Sequence, residues 1–194
     1  MITTSRPVLV LLLIMTAITG IAYPLFVTGV AQTLFPRQAA GSLIFAHNRV
    51  IGSRLIGQDF STPNYFWGRP SATTPQPYNG LASGGSNLGP LNPALTDAVE
   101  TRIAALRAAD PGNTAPVPVD LVTASASGLD PDISLAAAYY QADRVARARG
   151  ITPSAVRALI AAHAKTPWLG LFGEPRVNVL ELNLALDGEA AGAR

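Results

Sequence analysis

The 194-residue chain contains no cysteine. Disulfide bonding, thiolate metal ligation and a thiol nucleophile are thereby excluded, while an extracytoplasmic location that needs no thiols stays open. Charge is sparse as well: 14 Lys and Arg against 12 Asp and Glu make up 13% of the residues and leave a net charge of +2. No basic tract is long enough to suggest nucleic acid as a partner. The two histidines, His47 and His163, lie far apart in sequence, and no G-x-S-x-G elbow is present. Nothing therefore points to a Ser/His/Asp centre, and a membrane-tethered periplasmic hydrolase is the weakest functional alternative.

The longest absence is one of ionisable side chains. Pro7 to Pro36, 30 residues, hold no Asp, Glu, Lys, Arg or His. The apolar part, Val8 to Leu34, covers 27 residues, against about 20 for a helix crossing a hydrocarbon core of about 30 Å. Thirteen residues from Val8 to Val30 are Leu, Ile, Val or Phe, which together favour insertion by about 6 kcal/mol. Gly29-Val30-Ala31 is a small-x-small triplet that a signal peptidase accepts, but it follows a run longer than the roughly 7 to 15 residues of a signal h-region. An uncleaved anchor is expected, with Gln32 as a mature N-terminus the alternative. No second apolar run of spanning length follows, and one helix cannot enclose a water-filled path, so the chain alone is neither channel nor pump. Thr16, Gly20, Pro24 and Thr28 recur at four-residue steps, a stripe that lets another helix approach. The other reading has the threonines bonding back to their own carbonyls on a lipid-facing helix. Arg6 on one side and Arg37, Arg49 and Arg54 on the other leave the orientation undetermined by charge.

The expected organisation is thus an anchor over 1–36 and one domain over 37–194, of α+β class. Ser42-Leu43-Ile44 and Val50-Ile51 through Leu55-Ile56 flank His47-Asn48 and read as a hairpin. Asp59 to Pro93 is rich in Pro, Gly, Ser and Asn around Tyr65-Phe66-Trp67. It is either a functional loop packed by its own aromatics or an ordered coil across the hairpin. Tyr65, Phe66, Trp67 and Arg69 also suit a partner surface, although a packed mini-core is the better reading. Three helices are signalled by a cap followed by proline at Asn92-Pro93, Asp130-Pro131 and Thr152-Pro153. The first should stop near Asp110-Pro111-Gly112. The second should run from Pro131 to Arg149, with Asp130 as its cap, and stop at Gly150. The third should bury Val156, Leu159 and Ile160, with His163 a further candidate. Val117 to Thr123 reads as a short strand, and Val177 to Leu186 stays open between strand and helix, with helix ahead in its second half.

Gly80 to Asn87 spaces glycines like a phosphate loop, yet Ser86-Asn87 stands where Lys-Ser/Thr is required, which argues against a Walker A loop. The stretch resembles the signature loop of ABC transporters, but in isolation a turn-forming role is the simpler reading. Asp120, Asp130 and Asp132 do not match calcium-loop spacing and read as structural.

The ordered set of motifs carries more than any single one. It comprises an N-terminal span, Gly52-Ser53-Arg54-Leu55-Ile56-Gly57-Gln58, the run from Phe60 to Ala72 around Asn64-Tyr65-Phe66-Trp67-Gly68-Arg69-Pro70, Ser83-Gly84-Gly85-Ser86-Asn87-Leu88-Gly89-Pro90, the run from Asp120 to Pro131, and Val177-Asn178-Val179-Leu180. Together they resemble, over essentially the whole chain, the C-subunit family of the Kdp potassium-transporting ATPase, KdpC. The likeness implies a bacterial inner-membrane complex in which a channel-like subunit, KdpA, selects K⁺, a P-type ATPase subunit, KdpB, hydrolyses ATP, and a small subunit, KdpF, accompanies them. It implies a non-catalytic role in assembly and activity, a cytoplasmic N-terminus and an extracytoplasmic domain. A catalytic-chaperone role, raising KdpB's affinity for ATP, is attributed to the family; by likeness Ser83, Gly84, Gly85, Ser86, Asn87 and Gln58 are where nucleotide contact belongs. That role conflicts with the bilayer, because a domain beyond about 30 Å of hydrocarbon cannot touch cytoplasmic ATP. The family pattern often has histidine where this chain has Asp132, so no imidazole role is assigned there.

Overall fold

The computed structural model describes residues 2–46, 49–167 and 173–192. Internal contacts divide the chain into two compact units, Met1–Ile51 and Gly52–Arg194.

The first unit is dominated by one apolar rod. Helix α1 (Ile2–Ala17) passes through a π-helical turn (Ile18–Ala22) into α2 (Tyr23–Leu34). Proline explains the turn. Pro24 has no amide hydrogen, and its ring collides with a carbonyl four residues back, so the ladder widens and Tyr23 donates to Ile18 O, five residues back. Thr19 and Thr33 bond back to the carbonyls of Met15 and Gly29. Gly20 keeps its side open: an added Cβ would meet only Thr16 Cγ2, at 3.9 Å. After a short helix α3 (Pro36–Ala39), β1 (Leu43–Ala46) pairs with β2 (Arg49–Ser53) as the hairpin the sequence predicts. Its turn, His47 and Asn48, lies outside the described residues.

The second unit has four helices among the described residues. Helix α4 (Pro93–Ala109) is capped by Asn92, whose side chain accepts from Ala94 N, and ends at Asp110 as expected. A 3₁₀ turn (Val119–Leu121) replaces the strand expected over 117–123. Pro116 and Pro118 withhold two ladder donors there, and the Pro118 and Val119 carbonyls accept from Leu121 and Val122 instead.

The second helix also departs from expectation. Asp132 to Ser134 form β3, antiparallel to β4 (Arg176–Asn178), with Ile133 opposite Val177. Helix α5 (Leu135–Arg149) therefore begins only after Ser134, whose hydroxyl accepts from Ala137 N. Asp130 is not its cap: the carboxylate takes Asp132 N and the Arg69 guanidinium. Gly150, at φ +68°, stops the helix as expected. Helix α6 (Pro153–His163), capped by Thr152, packs against α5 and buries Val156 and Ile160. The segment left open in the sequence is both things in turn: β4 to Asn178, then α7 (Val179–Gly192). Phe66, Leu121, Ile133, Val156, Leu182 and Leu186 are among the residues wholly lost from solvent in the core.

The Tyr65-Phe66-Trp67 loop joins that core through amide side chains. Asn183 of α7 accepts from Phe66 N (2.8 Å) and donates to Phe66 O (3.0 Å). Gln141 of α5 does the same at Trp67 (2.8 and 3.1 Å). Two helices thus supply what a neighbouring strand would, and the buried loop leaves no backbone group of Phe66 or Trp67 unpaired. This is the packed mini-core.

Candidate functional site

The sequence-predicted stretch Ser83 to Asn87 lies along the segment Ser125–Gly128. Gly84 N donates to Ser127 O (2.8 Å), and the Ser83 hydroxyl donates to the same oxygen (3.1 Å). A Cβ on Gly85 would stand 2.9 Å from Ala126 O, so the close approach requires glycine. Gly128, at φ +66°, is tighter still: its Cβ would meet Gly84 O at 2.6 Å. Ser71 locks this contact from behind, donating to Gly128 O (2.7 Å) while accepting from Tyr78 N (2.9 Å). A phosphate loop needs free amides converging on the ligand, commonly at a helix start. Here the Gly84 amide is consumed, and the next helix begins at Pro93. The exposed polar groups of the loop are Ser83, Ser86 and Asn87.

Gln58 reaches the same segment through its neighbour, since Gly57 N donates to Leu129 O (2.9 Å). Its own side chain lies against Gly52, where a Cβ would come within 2.4 Å of Nε2. The structure thus hangs both predicted stretches from carbonyls two residues apart, Ser127 and Leu129.

Tyr78, which sequence reasoning missed, fills the space beside them. Its ring occupies the place a Cβ on Gly57 would need (2.3 Å), and its hydroxyl donates to Arg69 O (2.6 Å). Glycines at 57 and 68 are the available signal, because a large ring needs neighbours without side chains. Burial, aided by Asp59 and Asp130 and opposed by Arg102 and Arg69, pushes the phenol up to about 12 from 10.0. An unfolded tyrosine loses its proton near 10.0, so stability from this group is complete below that pH and declines as pH rises to about 12. Tyr78→Phe should cost about 1 kcal/mol at pH 8 through the lost hydrogen bond. That deficit should shrink between pH 10 and 11.5 in thermal melts; a constant deficit would contradict the assignment.

A second feature missed from sequence is a pair of arginines on Trp67. Arg102 Cζ of α4 sits 5.3 Å and Arg144 Cζ of α5 sits 4.8 Å from the ring centroid. Arg144, only 4% exposed, donates to Pro63 O, Tyr65 O and Gln141 Oε1. Burial pulls its pKa down to about 10, yet a guanidinium so bonded stays charged at neutral pH.

Asp120 and Asp132 each hold hydrogen bonds within the fold. Asp120 accepts from Ser134 N (2.7 Å) and from its hydroxyl (3.2 Å). Asp132 pairs with Arg176 (2.8 Å) and Asn178 (3.1 Å). Among the described residues no group of three or more His, Cys, Asp or Glu is placed to hold a metal. His163 Nδ1 lies 2.9 Å from Leu159 O on its own helix.

The family model of the K⁺-transporting ATPase c chain, KdpC, matches residues 5–188, which spans the apolar helix, the Ser83–Asn87 loop and the Phe66–Trp67 loop alike. The chain belongs to the KdpC family. The Potassium-transporting ATPase KdpC subunit of Variovorax paradoxus is 69% identical over 186 residues, 96% of each chain. That of Polaromonas naphthalenivorans is 70% identical over 182 residues, 94% of this chain and 93% of its own. The Sorangium cellulosum KdpC subunit is 64% identical across 94% of this chain and 96% of its own. The chain is thus a membrane-associated subunit of the K⁺-transporting ATPase with one N-terminal apolar helix.

Proposed function

We propose that this chain is a non-catalytic, single-pass accessory subunit of a bacterial inner-membrane potassium pump. Its anchor is uncleaved, its N-terminus cytoplasmic, and its domain from residue 37 onward extracytoplasmic over the channel-like KdpA. In the bilayer the anchor packs beside KdpA, KdpB and KdpF and stabilises the assembly. The observation that carries this reading is the rod from Ser5 to Leu34, 30 residues of which none is buried by the described chain. So much apolar surface requires lipid or other helices. An accessory changes turnover only by contacting two states of the pump differently, so attachment alone would not raise transport.

The cysteine-free sequence makes the orientation directly testable. Gln76→Cys, at an exposed loop position, should react with a membrane-impermeant maleimide added outside spheroplasts. Protection until lysis would reverse the topology. The anchor's role is tested by Gly20→Leu, which fills the stripe on a face with room for it. The variant should insert normally yet recover at least fivefold less KdpA and KdpB on detergent co-purification. Undiminished recovery would remove the stripe from the interface. The competing chaperone reading is supported by the exposed residues Ser83, Ser86 and Asn87, at the place where likeness puts nucleotide. Photolabelling of Ser83, Gly84, Gly85, Ser86, Asn87 or Gln58 by an azido-ATP at cellular concentration would favour that reading over the one proposed.

A further inference from the structure

The cavity between α4 and the loops at 70–72, 86–88 and 122–124 encloses about 530 Å³. Ligand pockets run from about 300 to 1,000 Å³, mostly apolar with a few placed polar groups. The walls here fit that description: Pro70, Leu88, Leu95, Ala98, Ala105 and Val122 supply apolar surface. Thr101 also lines the space, but its hydroxyl turns back to Asp97 O (2.7 Å).

Arg102 is the decisive group. Its Nε donates to Leu121 O (3.1 Å) and its Nη2 to Gly68 O (3.0 Å), which fix the guanidinium against Trp67. No bond from Nη1, and no ion pair to any carboxylate, occurs among the described residues. Burial lowers its pKa, opposed in part by Tyr78 and Asp59, so its charge is held at a cost that a closer counter-ion would relieve. We propose that this cavity binds a small amphipathic molecule with one anionic head group, the head received by Arg102 and the apolar body by the α4 wall. Asp97 lines the same cavity and opposes a polyanion such as a triphosphate, which one guanidinium could not neutralise. The inference does not depend on the subunit's place in the pump.

The test uses the full-length chain in detergent, with ¹⁵N-labelled tryptophan, titrated with 4-phenylbutyrate. The Trp67 indole signal reports on Arg102, which lies against its ring. A saturable shift is expected, at least tenfold weaker with the neutral isostere 4-phenylbutanamide. Micelle partitioning would favour the amide, so it cannot imitate this order. Ala98→Phe places a ring in the cavity from an exposed helix position and should weaken phenylbutyrate at least tenfold while leaving the ligand-free spectrum intact. Absence of a saturable shift, equal response to the amide, or unchanged affinity in Ala98→Phe would overturn the proposal. Displacement of the probe by ATP at similar concentration would overturn it too, since a polyanion would then be accepted.

Discussion

Gly128→Ala should cost at least about 3 kcal/mol and release the loop from Ser71 to Asn87, because two penalties coincide at one atom. The backbone sits at φ +66°, where a side chain is strained, and the new methyl would stand 2.6 Å from both Gly84 O and Thr73 Cγ2. The first of these is backbone and cannot swing away. Retreat of either strip breaks the Gly84 N to Ser127 O and Ser71 Oγ to Gly128 O bonds, which tie the segments together. Limited proteolysis should therefore cut between residues 71 and 90 in the variant and spare that stretch in the parent. Gly84→Ala is the matched control, since a Cβ there meets nothing within 4 Å and should change stability by less than about 1 kcal/mol. Equal melting of Gly128→Ala and parent would mean that the two strips do not pack as described.

The second large effect belongs to Arg144. Its guanidinium gathers three acceptors, Pro63 O and Tyr65 O on the sequence-distant loop and Gln141 Oε1 one turn back on α5 itself. Arg144→Met keeps the length of the stem and removes the fork, leaving two loop carbonyls without donors. Charge-assisted bonds contribute about 1.5 to 3 kcal/mol each, and an abandoned buried acceptor costs about 1 to 3. A loss of about 3 to 5 kcal/mol is expected in urea unfolding followed by tryptophan emission. Arg144→Lys should recover less than half of that loss, because one ammonium cannot span three acceptors while stacking on Trp67. Full rescue by lysine would show that charge alone, not the planar fork, holds the loop.

How far such features can be read from a linear sequence depends on the reach of the interaction behind them. Helices α4 and α6 were legible because Asn92-Pro93 and Thr152-Pro153 are complete start signals within three residues. Asp130-Pro131 carries the same signal, yet the helix waits for Ser134, because Ile133 finds Val177 on a strand 44 residues away. No local window contains that partner. The strand expected over 117–123 failed for a nearer reason: Pro116 and Pro118 spoil a ladder more than the valines favour one. The glycine motif at 84–85 was visible, but its use was not, since the carbonyls that crowd it come from residues 126 and 127. Arg144 misleads most. In sequence it stands with Arg147 and Arg149 near a basic helix end, whereas in space it is buried and serves the loop before α4.

The widened turn at Ile18–Ala22 also sets the azimuth of α2 relative to α1. One surplus residue in a helix rotates the following turns by about 100° relative to an unbroken spiral. The apolar rod therefore behaves as two threads cut at different phases, with Thr16 on the upper and Thr28 on the lower. Removing one residue between 18 and 22 would leave length and greasiness almost unchanged while swinging the lower thread away from whatever neighbour it meshes with.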